Sequence, residues 1–159
     1  MVGRYVLVHQ PDPTETVRIA ASYAKPGGVV AFHEFILSRE PLARPPVLEL
    51  DRLWEICVAA CRALLPSPDV GSQLVRHFAG AGLPSPRVLA EAPAGDACSP
   101  VIPWLLEALR ALRPGIEELG LPMPDEFEIG ALGTRLVEEA RAVHTQLVMP
   151  LQVCAWAAA

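Results

Sequence analysis

The sequence predicts an α/β fold. Three observations carry that prediction: a helix whose two ends are both written out between residues 12 and 28, a β-branched apolar run directly after it, and further helical stretches that alternate with short strand-like runs. At 159 residues, 52% of them hydrophobic and 19% charged, the chain is long enough to bury a core and too apolar to stay disordered. Residues 1–159 read as one domain.

Asp12 is an N-cap candidate, Pro13 suits the first helical position, and Glu15 sits where a capping-box acid belongs. Val17, Ala20, Ala21 and Ala24 form one apolar stripe, and Lys25-Pro26-Gly27-Gly28 supplies a basic last turn, a breaker and a left-handed cap. Val29 to Phe32 then reads as a strand covered on both faces, ending in two polar residues, His33 and Glu34. Residues 36–47, with Pro41, Pro45 and Pro46, read as a loop.

The next helix has the strongest period in the chain: Leu50, Leu53, Trp54, Cys57, Cys61, Leu64 and Leu65, stopped by Pro66. Ser67-Pro68-Asp69 should cap another helix carrying Val70, Leu74, Phe78 and Ala81, closed by Gly82 and Leu83 in a Schellman-like ending. A short strand is predicted at 87–92 and a turn-rich break at 93–97. Ser99 and Pro100 open a helix with Val101, Leu105, Leu109 and Leu112 on one face, predicted to stop at Arg113 before Pro114, with a separate short turn at 116–119 ending at Gly120. Asp125 and Glu128 make a second capping box for a helix with Ile129, Leu132, Leu136, Ala140 and Val143 inward, and 151–158 is the final strand.

Gly3-Arg4-Tyr5-Val6-Leu7-Val8-His9-Gln10-Pro11-Asp12-Pro13, the helix, Lys25-Pro26-Gly27-Gly28 and an apolar strand ending in Glu34 resemble the middle of a class I S-adenosylmethionine-dependent methyltransferase. In that family this segment runs from the end of the fourth strand through the fourth helix into the fifth strand. The helix ending in Ala81-Gly82-Leu83 with the strand after it resembles the fifth helix and sixth strand. The run 151–158 resembles the seventh strand, which inserts antiparallel between the fifth and sixth. The resemblance therefore implies a partial Rossmann-like sheet, strands four to seven, with helices on its faces. Residues 36–66 and 99–145 would form a helical cover, the latter including an inserted helical pair. Met1 would fall inside the fourth strand, so the Gly-rich cofactor loop and the acid ending the second strand would lie upstream, outside this chain.

Composition narrows the partners. A net charge of −5 with scattered basic residues gives no support to nucleic-acid or anionic-membrane binding, and small molecules fit better. No uninterrupted apolar run of about 20 residues is present. Arg4, His9 and the Pro-Asp-Pro turn break any signal-peptide pattern, and a reducing cytoplasm is the expected compartment. Cys57, Cys61, Cys98 and Cys154 show no Cys-x-x-Cys pair, and Cys57 with Cys61 read as buried thiols stacked on one helix face. No metal site is expected: Leu37 stands where a second His would complete a His33-Glu34 metalloprotease motif, and His77 and His144 have no ligand partner at helical spacing.

The resemblance assigns roles to residues at the carboxyl ends of the two parallel strands, where ligands sit in open α/β sheets. Gly3 and Arg4 would border the S-adenosylmethionine cofactor, Gly3 by close backbone approach and Arg4 by pairing with a carboxylate, with a surface cation as the plainer alternative for Arg4. His33 and His9 are the candidate proton acceptors, although His9 also suits a polar cap before Pro11. Tyr5, Glu34 and Trp54 are candidate substrate contacts, with core packing as the alternative for Trp54. Strand alternation allows at most one of His33 and Glu34 to face the site.

Two functions follow as expectations. One is a small-molecule methyltransferase, present as its carboxyl-terminal portion and inactive alone, its acceptor atom open among oxygen, nitrogen and carbon. The other is a non-catalytic remnant or partner subunit that binds a ligand or another chain. In either case an open sheet edge beside the strand at 29–35 invites a homodimer or a complementing amino-terminal chain.

Overall fold

Asp12 starts the first helix as its side chain predicts, its carboxylate accepting the backbone N–H of Glu15 at 3.0 Å. In the computed structural model, which describes residues 1–122 and 129–159, the chain is mixed α/β, with five helices and two sheets among those residues. It divides into two compact units, one of residues 1–37, 65–91 and 151–159, the other of residues 38–64 and 92–150.

The first unit opens with β1 (Val2–Arg4) and a single 3-10 turn, Leu7–His9, before α1 (Pro13–Ser22). Val17 and Ala20 are buried, while Ala21 and Ala24 are half-buried. Glu15 pairs with Arg18 one turn on. The chain then turns through Gly27, whose φ of +75° suits glycine, into β2 (Val29–Phe35). α3 (Leu74–Gly80) and β4 (Arg87–Glu91) follow, and β7 (Gln152–Ala158) completes the unit.

Its sheet has the order β1-β2-β7-β4, mixed in direction. β1 runs parallel to β2, with Gly3 opposite Phe32 and Arg4 opposite His33. β7 lies antiparallel between β2 and β4 and bonds to both, so Gln152 stands opposite Phe35 on one side and Glu91 on the other. Val30, Phe32, Val153, Ala155 and Ala157 pack with Leu7, Val8, Val17, Val70, Leu74 and Phe78 into one core, the Phe32 and Phe78 rings edge to face at 6.3 Å. β2 was expected to be covered on both faces. Val29 is exposed, and from Val30 on the strand alternates between buried and half-buried residues instead, because the core contacts of α1 and α3 fall on one face.

Another local expectation changes here. Ser67 and Asp69 do not cap α3: residues 70–72 form a 3-10 turn, α3 begins after Gln73, and the Ser67 hydroxyl donates to the Gln10 carbonyl at 2.7 Å. The ending is as predicted, with Gly82 at φ +81° and the Leu83 N–H donating to the Phe78 carbonyl at 3.1 Å.

The second unit holds β3 (Ala43–Arg44), α2 (Leu48–Leu64), β5 (Ala94–Gly95), α4 (Val101–Glu118), α5 (Ile129–Ala142) and β6 (Gln146–Val148). β3, β6 and β5 make a small antiparallel sheet in that order, β3 inside the segment expected to be a loop and β5 inside the turn-rich break. The periodic stripe of α2 is buried from Leu50 to Cys61, whereas Leu64 at its end is exposed. Among the described side chains of α5, Leu132, Leu136 and Ala140 are buried, but Val143 lies past the helix and is exposed. The predicted Asp125–Glu128 capping box lies outside the described residues. Arg135 of α5 donates both to Glu49 Oε1 at 2.8 Å and to Glu49 Oε2 at 3.1 Å.

α4 contradicts the predicted stop at Pro114, for it continues through the proline to Glu118 and ends at Gly120, φ +62°. A proline in a helix interior costs about 3 kcal/mol. Burial of Ile116 beyond it, fully shielded, and the Arg113–Glu117 pair at 2.7 Å across it offset that cost.

Candidate functional site

Because β7 is antiparallel to both neighbours, the carboxyl ends of β1, β2 and β4 gather at the same end of the first unit's sheet as the amino end of β7. Arg4, Tyr5, His33, Phe35, Glu91 and Gln152 meet there.

Tyr5 is the centre of this group. It follows β1 with φ +53°, a left-handed conformation that a non-glycine residue adopts at a cost of about 1 kcal/mol. Its N–H continues the ladder by donating to the His33 carbonyl at 2.9 Å. Its ring stacks beside the His33 ring at 6.0 Å and 26°, and meets Phe35 edge-on at 5.3 Å. The hydroxyl donates to Gln152 Oε1 at 2.7 Å. Arg4 closes the cluster: its Nη2 lies 3.2 Å from the Tyr5 hydroxyl and 3.3 Å from Gln152 Oε1, with the guanidinium 4.9 Å over the Tyr5 ring.

His33 presents a half-buried imidazole. Its Nε2 makes no hydrogen bond among the described residues, and Glu91 Oε1 stands 3.6 Å away, beyond hydrogen-bond length. Burial, and next the Arg4 charge, hold its pKa below the usual histidine value, with Glu91 opposing them. Its Nε2 is also shut off from solvent, so the surroundings favour the uncharged ring. Cys154, opposite His33 across the β2–β7 ladder, has its thiol pKa pushed up by burial and then by Glu91, so it is no thiolate nucleophile at neutral pH.

Glu34 takes the other face, as alternation requires. It is fully buried, and its Oε1 accepts the backbone N–H groups of Val6 at 3.0 Å and Leu7 at 2.8 Å. Burial raises its pKa, and the N–H groups of Leu7, Val6 and Val8 act against that rise. The carboxylate thus pins the turn between β1 and α1. Gly3 likewise serves packing: a Cβ there would come within 2.7 Å of the Phe32 ring.

His9 and Trp54, the remaining candidates, belong to other elements. His9 is exposed at the end of the 3-10 turn, and among the described residues no hydrogen bond or ring contact joins its side chain to Tyr5 or His33. Trp54 belongs to the second unit, buried in α2, where its indole N–H donates to the Ser38 carbonyl at 3.1 Å and its ring lies 6.0 Å from Trp104. Gln152 and Glu91 were not singled out from the sequence. The one available signal for Gln152 was an amide standing alone in an apolar strand run.

Among the described residues no group of three or more His, Cys, Asp or Glu could hold a metal ion, and no helix is long and apolar enough to cross a membrane. An S-adenosylmethionine molecule would find a partial fit. Arg4 could pair with its carboxylate, but the first-unit helix that follows β1 starts at Asp12, whose carboxylate opposes an anion or electron-rich group, and no Gly-rich strand-to-helix turn occurs among the described residues.

No family model matches the chain, and no curated protein matches it significantly.

Proposed function

We propose that this chain carries the carboxyl-terminal half of a small-molecule methyltransferase domain of the class I S-adenosylmethionine-dependent kind. One observation supports the reading above the rest: β7 runs antiparallel between β2 and β4, with β1 parallel to β2 on the far side, on the very residues whose sequence resembles strands four to seven of that family. In this reading Arg4 receives the carboxylate of the cofactor's methionine end. His33, neutral and without a hydrogen bond on Nε2, accepts a proton from the methyl acceptor. Tyr5 and Phe35 offer aromatic surface beside it. Since the fit is to one end of the cofactor alone, the chain by itself is proposed to bind it weakly and to turn over nothing.

Saturation-transfer NMR with S-adenosylmethionine tests this. The expected result is transfer to the methionine-end protons in excess of the adenine protons, lost in Arg4→Ala, with a dissociation constant on the order of 1 mM or weaker. A micromolar constant by calorimetry would overturn the half-site reading, and absence of any transfer would overturn the assignment of Arg4. A second reading, a non-catalytic partner subunit, is favoured by the hydrogen bonds that commit Arg4, Tyr5 and Gln152 to one another.

A further inference from the structure

β4 is an outer strand of the first unit's sheet. It bonds to β7 along its whole length, residue for residue from Arg87 to Glu91, and among the described residues its backbone makes no other hydrogen bond. All five residues are exposed, Val88 at 48% and Leu89 at 52%. Proteins ordinarily blunt such an edge with charged side chains, a proline or a bulge. β4 carries charges only at its two ends, Arg87 and Glu91, while its centre, Val88-Leu89-Ala90, is apolar and holds neither proline nor bulge.

We propose that β4 is the surface through which two copies of this chain associate, antiparallel about a two-fold axis at Leu89, so that two four-stranded sheets become one. The order of the five residues selects this occupant. Pairing about Leu89 sets Arg87 of each copy directly against Glu91 of the other, Val88 against Ala90, and Leu89 against itself. Opposite charges at directly facing positions stabilise a strand pair, and the apolar centre is withdrawn from water. Parallel pairing in register would oppose Arg87 to Arg87 and Glu91 to Glu91, and an antiparallel pairing displaced by two residues would leave each charge facing an apolar residue or none. The charge pattern therefore specifies both direction and register.

The strand geometry suits the pairing. A two-fold axis normal to the sheet keeps Arg87, Leu89 and Glu91 of both copies on one face. Alternation of ladder bonds provides about four to six new backbone hydrogen bonds, according to which residues of β4 point outward. The in-chain neighbours of the two charges leave them reachable. Arg87 lies 5.6 Å over the Trp156 ring, and the Glu91 side chain is 53% exposed with His33 at 3.6 Å. This inference is independent of the methyltransferase reading.

Sedimentation velocity across a concentration series tests it. The wild-type chain should shift from 17.1 kDa to twice that mass as concentration rises. Arg87→Glu, which opposes carboxylates at both ends, should raise the dissociation constant at least about tenfold, and the charge swap Arg87→Glu with Glu91→Arg should return it to roughly the wild-type value. Should Arg87→Glu fail to fold by circular dichroism, Leu89→Arg places two cations at the axis on a half-exposed position and should abolish the dimer. A wild-type chain monomeric at every concentration, a dimer indifferent to Arg87→Glu or Leu89→Arg, or a folded charge swap no better than the single reversal would each overturn the proposal.

Discussion

The hydroxyl of Tyr5 donates a 2.7 Å hydrogen bond to Oε1 of Gln152, joining the residue after β1 to the first residue of β7 across 147 positions of sequence. Gln152 is 2% exposed, so this acceptor has little water to turn to. Tyr5→Phe keeps the ring contacts to His33 and Phe35 and removes the donor to Gln152 together with the oxygen that accepts from Arg4 at 3.2 Å. It should cost about 1–2 kcal/mol, read as a lower urea midpoint at unchanged m-value.

Glu34→Ala should be costlier, about 2–3 kcal/mol, since it strands the N–H groups of Val6 and Leu7 at a buried turn. The sign of the pH effect is distinctive. The folded-state pKa of Glu34 is raised, so the folded protein holds its proton more tightly than the unfolded chain. That contribution is fully present below the ordinary glutamate value of 4.5 and is lost as pH rises through the folded pKa. In Glu34→Gln this segment of the stability–pH curve should flatten.

His33 and His77 act in the opposite sense. Burial, chiefly, lowers both, with a neighbouring arginine adding to it in each case. Their stability contribution is complete above pH 6.5 and disappears as pH falls through the folded values. Thermal unfolding of the double variant His33→Gln, His77→Gln should lose most of the decline below pH 6.5 that the parent shows. His77 reports on the core as well, because its Nδ1 lies 2.9 Å from the Thr14 hydroxyl of α1.

Pro114 stands exposed inside α4. Pro114→Ala restores a donor to the Arg110 carbonyl and relieves the clash with the preceding turn, and should stabilise the protein by about 1–3 kcal/mol. A lower unfolding temperature in that variant would show that the proline holds a bend the packing of Ile116 requires.

What the sequence disclosed and withheld has physical grounds. The start of α1 was legible because Asp12 bonds Glu15, whereas its end was misplaced: the helix stops at Ser22 with Tyr23 as C-cap, before Lys25-Pro26-Gly27-Gly28 and with no basic residue in its last turn. α2 was legible through its period. The continuation of α4 past Pro114 was not, since local rules weigh the lost hydrogen bond and cannot weigh the burial of Ile116. β3 and β5, two residues each, are too short for any period to register. At the site, Arg4, Tyr5 and His33 could be placed together because they end neighbouring strands. Gln152 and Glu91 arrive through pairings distant in sequence, which no local pattern encodes. Alternation allowed at most one of His33 and Glu34 to face the site, which left the other for the opposite face. That the carboxylate would be the one depended on the backbone donors of Val6 and Leu7, invisible until the turn is built.

The placement of β7 carries a consequence for synthesis. β4 meets β2 only through residues 152–158, which leave the ribosome long after Arg87–Glu91 do. Until that late segment is available β4 has no strand partner in this sheet, so the four-stranded sheet is complete only once the last residues of the chain are in place.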